Sequence, residues 1–157
     1  MAVIGGGTAR PNDEVQADAV GEALALAGAT LVTGGLGGVM AAACRGAKRA
    51  GGLTVGILPT MDRSTANEWV DVAVPTGLGE ARNALVVAMA DSVVAIGGEY
   101  GTLSEIALAL RASKPVIGLE TWTLVRPDGN ADTGVVPTSD PEGAASLALS
   151  LAEAAAT

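Results

Sequence analysis

The chain has 157 residues, of which 49% are hydrophobic, only 2% are aromatic and 22 are glycine, so its core must be built from aliphatic side chains. Its formal net charge of −8 repels phosphate polymers and anionic lipid, and we therefore expect neither nucleic acid nor a membrane among its partners. The absence of histidine excludes Ser-His-Asp and Cys-His catalysis and His-ligated zinc, and the single cysteine excludes an internal disulfide.

The length and the N-terminal sequence predict a soluble, cytoplasmic protein that folds as a single nucleotide-binding domain over residues 1–157. Met1 leads directly into an apolar segment without the basic region of a signal peptide. The longest strongly apolar run, Ala84 to Ala90, is too short to span a bilayer. Cys44 follows three alanines in a helical pattern. We interpret it as a small core residue, because no histidine is present to activate it as a nucleophile.

Short apolar runs alternate with longer helical patterns along the chain. The predicted strands are Met1–Ile4, Thr30–Thr33, Leu53–Leu58, Val70–Val74, Ser92–Ile96 and Pro115–Leu119. The predicted helices are Asp13–Ala27, Val39–Ala50, Leu78–Ala90, Thr102–Ala112 and Pro141–Ala155, and the predicted loops are Pro59–Glu68 and the segment around Arg126–Asn130. Several strands lack polar alternation, which is typical of strands covered on both faces. The pattern predicts an α/β fold with a doubly wound, mainly parallel, Rossmann-like sheet and helices on both faces.

Glycine-rich turns follow three of the predicted strands, at residues 5–8, 34–38 and 97–102. In a parallel sheet all three turns lie at the carboxyl edge, where such folds bind ligands. Each turn also precedes a helix, whose free N–H groups favour an anion. One glycine turn can serve a positive φ alone, but three on one edge indicate a site for a small phosphate-bearing molecule. The candidate binding residues are Gly6, Gly7, Thr8, Gly34, Gly35, Gly98, Gly101 and Thr102.

The sequence lacks the residues that three common types of cofactor or nucleotide site require. A Walker A loop needs a Gly-Lys-Ser/Thr ending, and neither Lys48 nor Lys114 stands in one. The dinucleotide fingerprint needs an acid after the second strand, where this chain has Thr33-Gly34. Pyridoxal phosphate needs a buried lysine, whereas Lys48 lies on a charged helix face and Lys114 precedes a strand. We therefore expect no resident cofactor, and no group of metal-ligand residues stands out.

The most specific segment is Gly97–Glu105, with the sequence GGEYGTLSE. Thr102 and Glu105 have the spacing of a capping box, in which both side chains satisfy N–H groups at a helix start. Arg82 reaches solvent, binds Glu80 locally, or projects into the cleft at the carboxyl edge. In a sheet ordered 3-2-1-4-5, strands 1 and 4 flank the switch point and the segment Pro75–Arg82 borders the cleft. Arg82 and Glu105 would then face each other across a pocket that binds a phosphate.

Three segments together resemble one known family. Residues 77–83 read Gly-Leu-Gly-Glu-Ala-Arg-Asn, residues 90–96 read Ala-Asp-Ser-Val-Val-Ala-Ile, and residues 97–105 read GGEYGTLSE. This combination resembles the LONELY GUY (LOG) proteins, also called "lysine decarboxylase-like", whose close relatives are the molybdenum cofactor carrier proteins. The resemblance extends over about residues 1–119 and is strongest over residues 77–119.

The resemblance implies a homodimer with a Rossmann-like fold. It also implies a phosphoribohydrolase, which cleaves the N-glycosidic bond of nucleoside 5′-monophosphates such as cytokinin ribotides, releasing free base and ribose 5-phosphate. The family motif, PGGxGTxxE preceded by an Arg-Lys pair, assigns catalysis to Glu105 and Arg82 and the phosphate loop to Gly98, Gly101 and Thr102. A lysine decarboxylase is not expected, because neither lysine suits that chemistry.

Three positions depart from the family motif. Gly97 stands at the proline position, Glu99 at the second motif glycine, and Asn83 at the usual lysine. A carboxylate of Glu99 that faces the pocket would repel a bound phosphate by up to a few kcal/mol at an effective dielectric of about 20. These departures favour a divergent branch, near the carrier-like relatives.

Two functions and one structural interpretation stay open at this point. As a hydrolase, Glu105 would stabilise the positive charge that develops at C1′, and Arg82 and a helix N-terminus should keep this carboxylate ionised. As a carrier, the same pocket would bind a nucleotide or a molybdopterin-type cofactor without cleaving it. As a cap alone, Glu105 would contribute only to stability. A homodimer is expected through the apolar helices that carry Leu85–Met89 and Ile106–Leu110.

Overall fold

The computed structural model describes residues 1–155 as alternating strands and helices. The strands are β1 (Ala2–Gly5), β2 (Leu31–Thr33), β3 (Thr54–Leu58), β4 (Val72–Pro75), β5 (Val93–Ile96), β6 (Val116–Leu119) and β7 (Val135–Thr138). The helices are α1 (Pro11–Leu26), α2 (Val39–Arg49), α3 (Asn83–Ala88), α4 (Tyr100–Arg111) and α5 (Pro141–Ala155), with 3-10 turns at Arg63–Thr65 and Gly79–Arg82. Within this range, no helix combines the length and the apolar character needed to cross a membrane.

The strands form one parallel sheet in the order β4-β3-β2-β1-β5-β6-β7, which confirms the predicted doubly wound fold. The predicted order 3-2-1-4-5 is wrong in one respect. The fourth strand extends the sheet beyond β3, and the fifth strand is the neighbour of β1. β1 and β5 therefore flank the switch point, where ligands of such folds bind. Their register pairs Gly5 with Ile96, so the first and third glycine turns begin side by side.

β7 lies where no strand is predicted from the sequence. Val135–Thr138 is short, contains Pro137 and follows the loop around residues 126–130, so its pattern is not that of a strand. At the outer edge of the sheet, a proline without an N–H group leaves the pairing with β6 intact. The strand therefore depends on its position in the sheet more than on its own sequence.

The predicted helix Leu78–Ala90 is divided into the 3-10 turn Gly79–Arg82 and the short helix α3. Gly77 and Gly79 adopt φ angles of 66° and 56°, which an α-helix does not contain. These two glycines delay the start of the helix by several residues. Arg82 consequently lies at the junction of the two elements, with its side chain buried.

Helices cover both faces of the sheet. On one face, α1, α2 and α5 pack around residues such as Val3 and Leu24; on the other, α3 and α4 pack around Val86 and Ile106. Cys44 is fully buried in the first cluster, and burial raises the pKa of its thiol. The interpretation of Cys44 as a core residue is confirmed.

Both lysines lie at the amino edge of the sheet, opposite the glycine turns. Lys114 Nζ donates hydrogen bonds to the carbonyl groups of Val87, Ala88 and Ala90, and it thereby caps the C-terminus of α3. Lys48, near the end of α2, forms an ion pair with an aspartate that precedes β4. The two side chains therefore serve the scaffold at the edge away from the cleft.

Candidate functional site

The three glycine turns lie together at the carboxyl edge of the sheet, around the switch point between β1 and β5. They border a cavity of about 640 Å³, a volume typical of sites for small organic ligands. Side chains from the 3-10 turn after β4, from α2 and from α4 complete its walls. The predicted site residues that line this cavity are Gly6, Gly7, Gly34, Arg82, Gly98, Gly101, Thr102 and Glu105.

Two predicted binding residues lie outside this cavity. Thr8 lines a second cavity of about 580 Å³, which adjoins the first and shares Gly6 and Gly98 with it. Gly35 adopts a φ of 74° and donates its N–H to Thr33 Oγ1 at 3.0 Å. A Cβ atom at Gly35 would lie 2.7 Å from the side chain of Leu58. Gly35 therefore serves the backbone turn and its packing.

The structure brings Arg82 and Glu105 together inside the first cavity. Arg82 Nη1 and Glu105 Oε1 are 3.8 Å apart, and the two residues are only 5% and 6% exposed. The guanidinium group lies over Gly34, where a Cβ atom would be 2.7 Å from Arg82 Cζ. The glycine turn after β2 thus makes room for the arginine. Among residues 1–155, Arg82 Nε is one of few buried polar side-chain atoms without a hydrogen-bond partner.

Burial raises the pKa of Glu105 to about 7, against the opposing effect of Arg82, and the nearby Glu80 adds to the rise. The expectation that Arg82 and the helix N-terminus keep Glu105 ionised is therefore wrong. At 3.8 Å the guanidinium group compensates only part of the cost of removing the carboxylate from water. A carboxyl group whose pKa is raised this far can either give or accept a proton near neutral pH.

The predicted capping box between Thr102 and Glu105 does not form. α4 begins at Tyr100 with Glu99 as the preceding residue, so Thr102 occupies the third helical position. Thr102 is 2% exposed, and its Oγ1 has no hydrogen-bond partner in the described part of the chain. A buried hydroxyl without a partner costs free energy, and this one lines the cavity, where a ligand could satisfy it.

The turn between β5 and α4 accounts for the first departure from the family motif. Gly97 and Gly98 adopt φ angles of 56° and 136°. A proline, whose φ is fixed near about −65°, could not occupy position 97 in this turn. A Cβ atom at Gly98 would lie 3.1 Å from both Thr102 and Trp122, so the backbone passes close to the start of α4.

The other two departures concern Glu99 and Asn83. Glu99 lines both cavities, and its Oε1 would lie 3.5 Å from a Cβ atom at Gly6, so the carboxylate faces the first glycine turn. It places a negative charge where a phosphate would approach. Asn83 is buried and donates from Nδ2 to Ser104 Oγ at 3.1 Å, which links α3 to α4.

The three helices that follow the glycine turns differ in what they offer an anion. α1 begins with Pro11, which has no N–H group. At the start of α2, the N–H of Val39 donates to a carbonyl group of the first glycine turn at 3.1 Å. The first N–H groups of a helix have no partner within it, and in α4 they include those of Gly101 and Thr102, which line the cavity. α4 therefore offers N–H groups to an anion in this cavity.

Tyr100 and Trp122 also line the cavity, although neither was singled out from the sequence. Their ring centroids are 5.8 Å apart. Two signals could have found them. The chain has only three aromatic residues, and Trp122 follows a predicted strand at the edge that carries the glycine turns.

The raised pKa of Glu105 predicts how stability depends on pH. A carboxyl group whose pKa rises from 4.5 to about 7 on folding stabilises the protein fully below pH 4.5, and this contribution is lost as the pH rises through 7. We therefore compare the unfolding free energy of Glu105→Gln with that of the wild type. The difference, variant minus wild type, should increase by about 3 kcal/mol from pH 4.5 to pH 8. Chemical denaturation of both proteins at the two pH values measures this change.

The exposed Glu142, at the start of α5, supplies the control for that measurement. Between the two pH values, the unfolding free energy of Glu142→Gln relative to the wild type should change much less than that of Glu105→Gln, because this side chain is exposed in the folded chain. If Glu105→Gln behaves in the same way as Glu142→Gln, the carboxyl group of Glu105 is not perturbed by burial.

Comparison with known proteins places the chain among proteins of the same architecture. The sequence model of the SLOG cluster4 family matches residues 1–145. An uncharacterized protein of Archaeoglobus fulgidus is 43% identical over 120 residues, which are 76% of this chain and 79% of the relative.

Several solved structures are similar to the chain over nearly its full length. The molybdenum cofactor binding protein of Rippkaea orientalis is 41% identical, with a TM-score of 0.84 over 95% of this chain and 94% of that chain. The molybdenum cofactor (Moco) carrier protein of Chlamydomonas reinhardtii is 36% identical, with a TM-score of 0.84 over 98% and 96% of the two chains. The resemblance to a branch near the carrier proteins is thus confirmed. The chain belongs to the SLOG cluster4 family.

Proposed function

We propose that this protein binds and carries a phosphate-bearing pterin of the molybdopterin class in the cavity at the carboxyl edge of its sheet. The observation that carries the proposal is this cavity, bordered by three glycine turns, in a chain that matches a molybdenum cofactor binding protein over 95% of its length. The cavity and its neighbour have volumes of about 640 and 580 Å³ and share lining residues, which suits a ligand with two distinct parts.

The phosphate of the ligand would bind at the start of α4. Gly101 and Thr102 offer N–H groups there, and the unpartnered Thr102 Oγ1 offers a hydroxyl donor. Arg82 adds a buried positive charge whose Nε is also unpartnered. These groups fit a phosphate because each one gains a hydrogen bond that the protein alone does not supply. In the described range, no group of three Cys, Asp or Glu side chains could hold a metal ion, and the proposed contacts are with the organic part of the cofactor.

Glu99 favours carriage of an intact ligand over hydrolysis of a nucleotide. Its carboxylate faces the cavity at a position where the family motif has glycine, and it opposes tight binding of a small phosphate ester. A larger ligand can offset this repulsion with contacts made by its ring. The proposed carrier therefore depends on two binding regions, one for the phosphate and one for the ring.

A phosphoribohydrolase is the second candidate, and the buried pair of Arg82 and Glu105 favours it. The ionised form of Glu105 would stabilise the positive charge that develops at C1′ and orient a water molecule. With a pKa of about 7, the same group could take a proton from that water. Nucleoside 5′-monophosphates are the substrates that this arrangement would suit.

The phosphate region is tested by Thr102→Val, which removes the hydroxyl and keeps the shape of the side chain. We expect this variant to bind neopterin monophosphate and ribose 5-phosphate each about tenfold more weakly in calorimetric titrations, because both ligands lose one hydrogen bond to a charged group. Its thermal stability should not fall, because the lost hydroxyl has no partner within the protein. Thr30→Val, at the amino edge of the sheet, is the matched control and should leave both affinities unchanged. Unchanged affinities in Thr102→Val would contradict the assignment of the phosphate to α4.

Carriage and hydrolysis are separated by incubating the protein with AMP and isopentenyl-AMP and measuring free base by chromatography. The carrier proposal predicts that both nucleotides are recovered intact. Base release by the wild type that disappears in Glu105→Gln would establish the hydrolase in its place. Glu142→Gln, at the start of α5 and outside both cavities, is the control for a general loss of charge.

We also propose a homodimer that forms through α3. Leu85 and Met89 are 39% and 54% exposed on this helix and its C-terminal end, whereas Ile106, expected at the same interface, is buried within the subunit. Light scattering should give twice the mass of one chain for the wild type and one chain mass for Leu85→Glu. Val15→Glu, at an exposed apolar residue of α1, should stay dimeric. A monomeric wild type would exclude this interface.

A further inference from the structure

Aromatic residues are scarce in this chain, and two of the three meet at the cavity. The sequence contains two tryptophans, one tyrosine and no phenylalanine. Tyr100 and Trp122 have ring centroids 5.8 Å apart and ring planes tilted by 34°. The third aromatic residue, Trp69, precedes β4 and packs against the edge of the core. The placement of the pair is therefore a feature of the site, since the core is built without such rings.

Trp122 is held at the boundary of the two cavities. It lines both of them, and its Nε1 donates to the carbonyl oxygen of Glu99 at 3.3 Å. The same edge of the indole lies against Gly98, where a Cβ atom would be 3.1 Å from Nε1. One edge of the ring is thus fixed to the turn before α4, at the point where the phosphate region begins.

Glu120 holds the segment that carries Trp122 in a strained conformation. It adopts a φ of 46°, which is uncommon for a residue other than glycine. Its carboxylate accepts hydrogen bonds from Asn12 Nδ2 at 3.1 Å and from Gln16 Nε2 at 3.3 Å. Both donors lie on α1, so that helix stabilises the turn after β6. Strain of this kind persists only where the surroundings enforce it, and here it directs the chain over the site.

Tyr100 is 81% exposed, although it is the first residue of α4 and borders the cavity. Within the subunit its ring contacts Trp122 and leaves most of its surface to solvent. With Tyr100 exposed and Trp122 half-buried beside the cavity, the pair offers flat apolar surface to a planar ligand, and stacking on such side chains is strong and tolerant of the ring's identity.

Glu99 lies between this aromatic pair and the first glycine turn. Its backbone carbonyl is bound to Trp122, and its carboxylate faces the cavity. A carboxylate only accepts hydrogen bonds, so it suits a ring edge that carries adjacent N–H donors. A phosphate would be repelled at the same place. Glu99 therefore marks a region of the cavity that suits the ring of a ligand, separate from the phosphate region at Thr102.

We propose that Tyr100 and Trp122 form a stacking surface for the planar ring of the ligand, and that Glu99 accepts hydrogen bonds from an aminopyrimidine edge of that ring. The chemical class is a fused heterocycle with an amino group and a neighbouring ring N–H, joined to a phosphate. This inference rests on the proposed function, because it assigns the second region of the same site. It also explains how binding can be tight although Glu99 opposes the phosphate.

The stacking surface is tested with two ligands that share a phosphate and differ in the ring. Neopterin monophosphate carries a pterin, and ribose 5-phosphate carries none. We expect Trp122→Leu and Tyr100→Ala each to weaken binding of neopterin monophosphate about tenfold or more and to leave ribose 5-phosphate unchanged. Trp122→Phe, which keeps a ring, should retain affinity within about threefold of the wild type. Trp69→Phe is the matched control and should change neither affinity.

The outcomes separate this inference from the function on which it rests. If Trp122→Leu and Tyr100→Ala bind neopterin monophosphate as the wild type does, the ring does not stack here, while the carrier proposal stands. If either variant loses both ligands equally, the residue supports the turn before α4, and the stacking assignment is wrong. If the wild type binds neither ligand, the proposed function fails and this inference fails with it.

The role of Glu99 is tested with Glu99→Gln in two measurements, one on the phosphate and one on the ring. Glu99→Gln should bind ribose 5-phosphate more tightly, because a negative charge near the phosphate is removed. The same variant should lose the preference of the wild type for pterin over lumazine, in which a carbonyl group replaces the amino group. We expect that preference to be about tenfold in the wild type. A wild type that binds pterin and lumazine equally would contradict the role of Glu99 at the ring edge.

Discussion

The pairing of β1 with β5 is the interaction on which the rest of the site depends. These strands meet although more than 80 residues separate them in sequence, and their register sets Gly5 beside Ile96. Because the whole sheet is parallel, every strand ends at the same edge, and the glycine turns collect there. The connections that follow β1 and β5 run to opposite faces of the sheet, and the crevice between them forms the cavity. The site is therefore a consequence of topology before any polar residue is considered.

At this site, burial determines the protonation and the hydrogen bonding of the polar side chains. Arg82 and Glu105 are both nearly inaccessible, and the distance between them leaves the carboxyl group only partly compensated. Its pKa of about 7 is the result of desolvation that one arginine does not overcome. Thr102 and Arg82 also retain polar atoms without partners in the described chain. A site with such unsatisfied groups is suited to a ligand that brings acceptors, and a phosphate is the simplest group of that kind.

Much of the architecture could be predicted from the sequence because its signals are local. Continuous apolar runs mark buried strands, and the glycines after Ile4, Thr33 and Ile96 mark the ligand edge. The predictions that failed concern properties that local pattern does not encode. The helix start at Tyr100 depends on the backbone of Gly97 and Gly98, and the ionisation of Glu105 depends on the depth of its burial. β7 depends on an open sheet edge. The meeting of Arg82 with Glu105 was predicted, and the structure brings the two together although the assumed strand order is wrong in one respect.

We propose above all that the cavity holds a phosphorylated pterin intact. The most direct measurement is to purify the protein from a bacterial host that synthesises molybdopterin, release bound small molecules with acid, oxidise them, and quantify pterin fluorescence per chain. We expect phosphorylated pterin in near-stoichiometric amount with the wild type, and much less with Thr102→Val purified in parallel. Pterin no more abundant in the wild type than in an unrelated protein from the same host would contradict it.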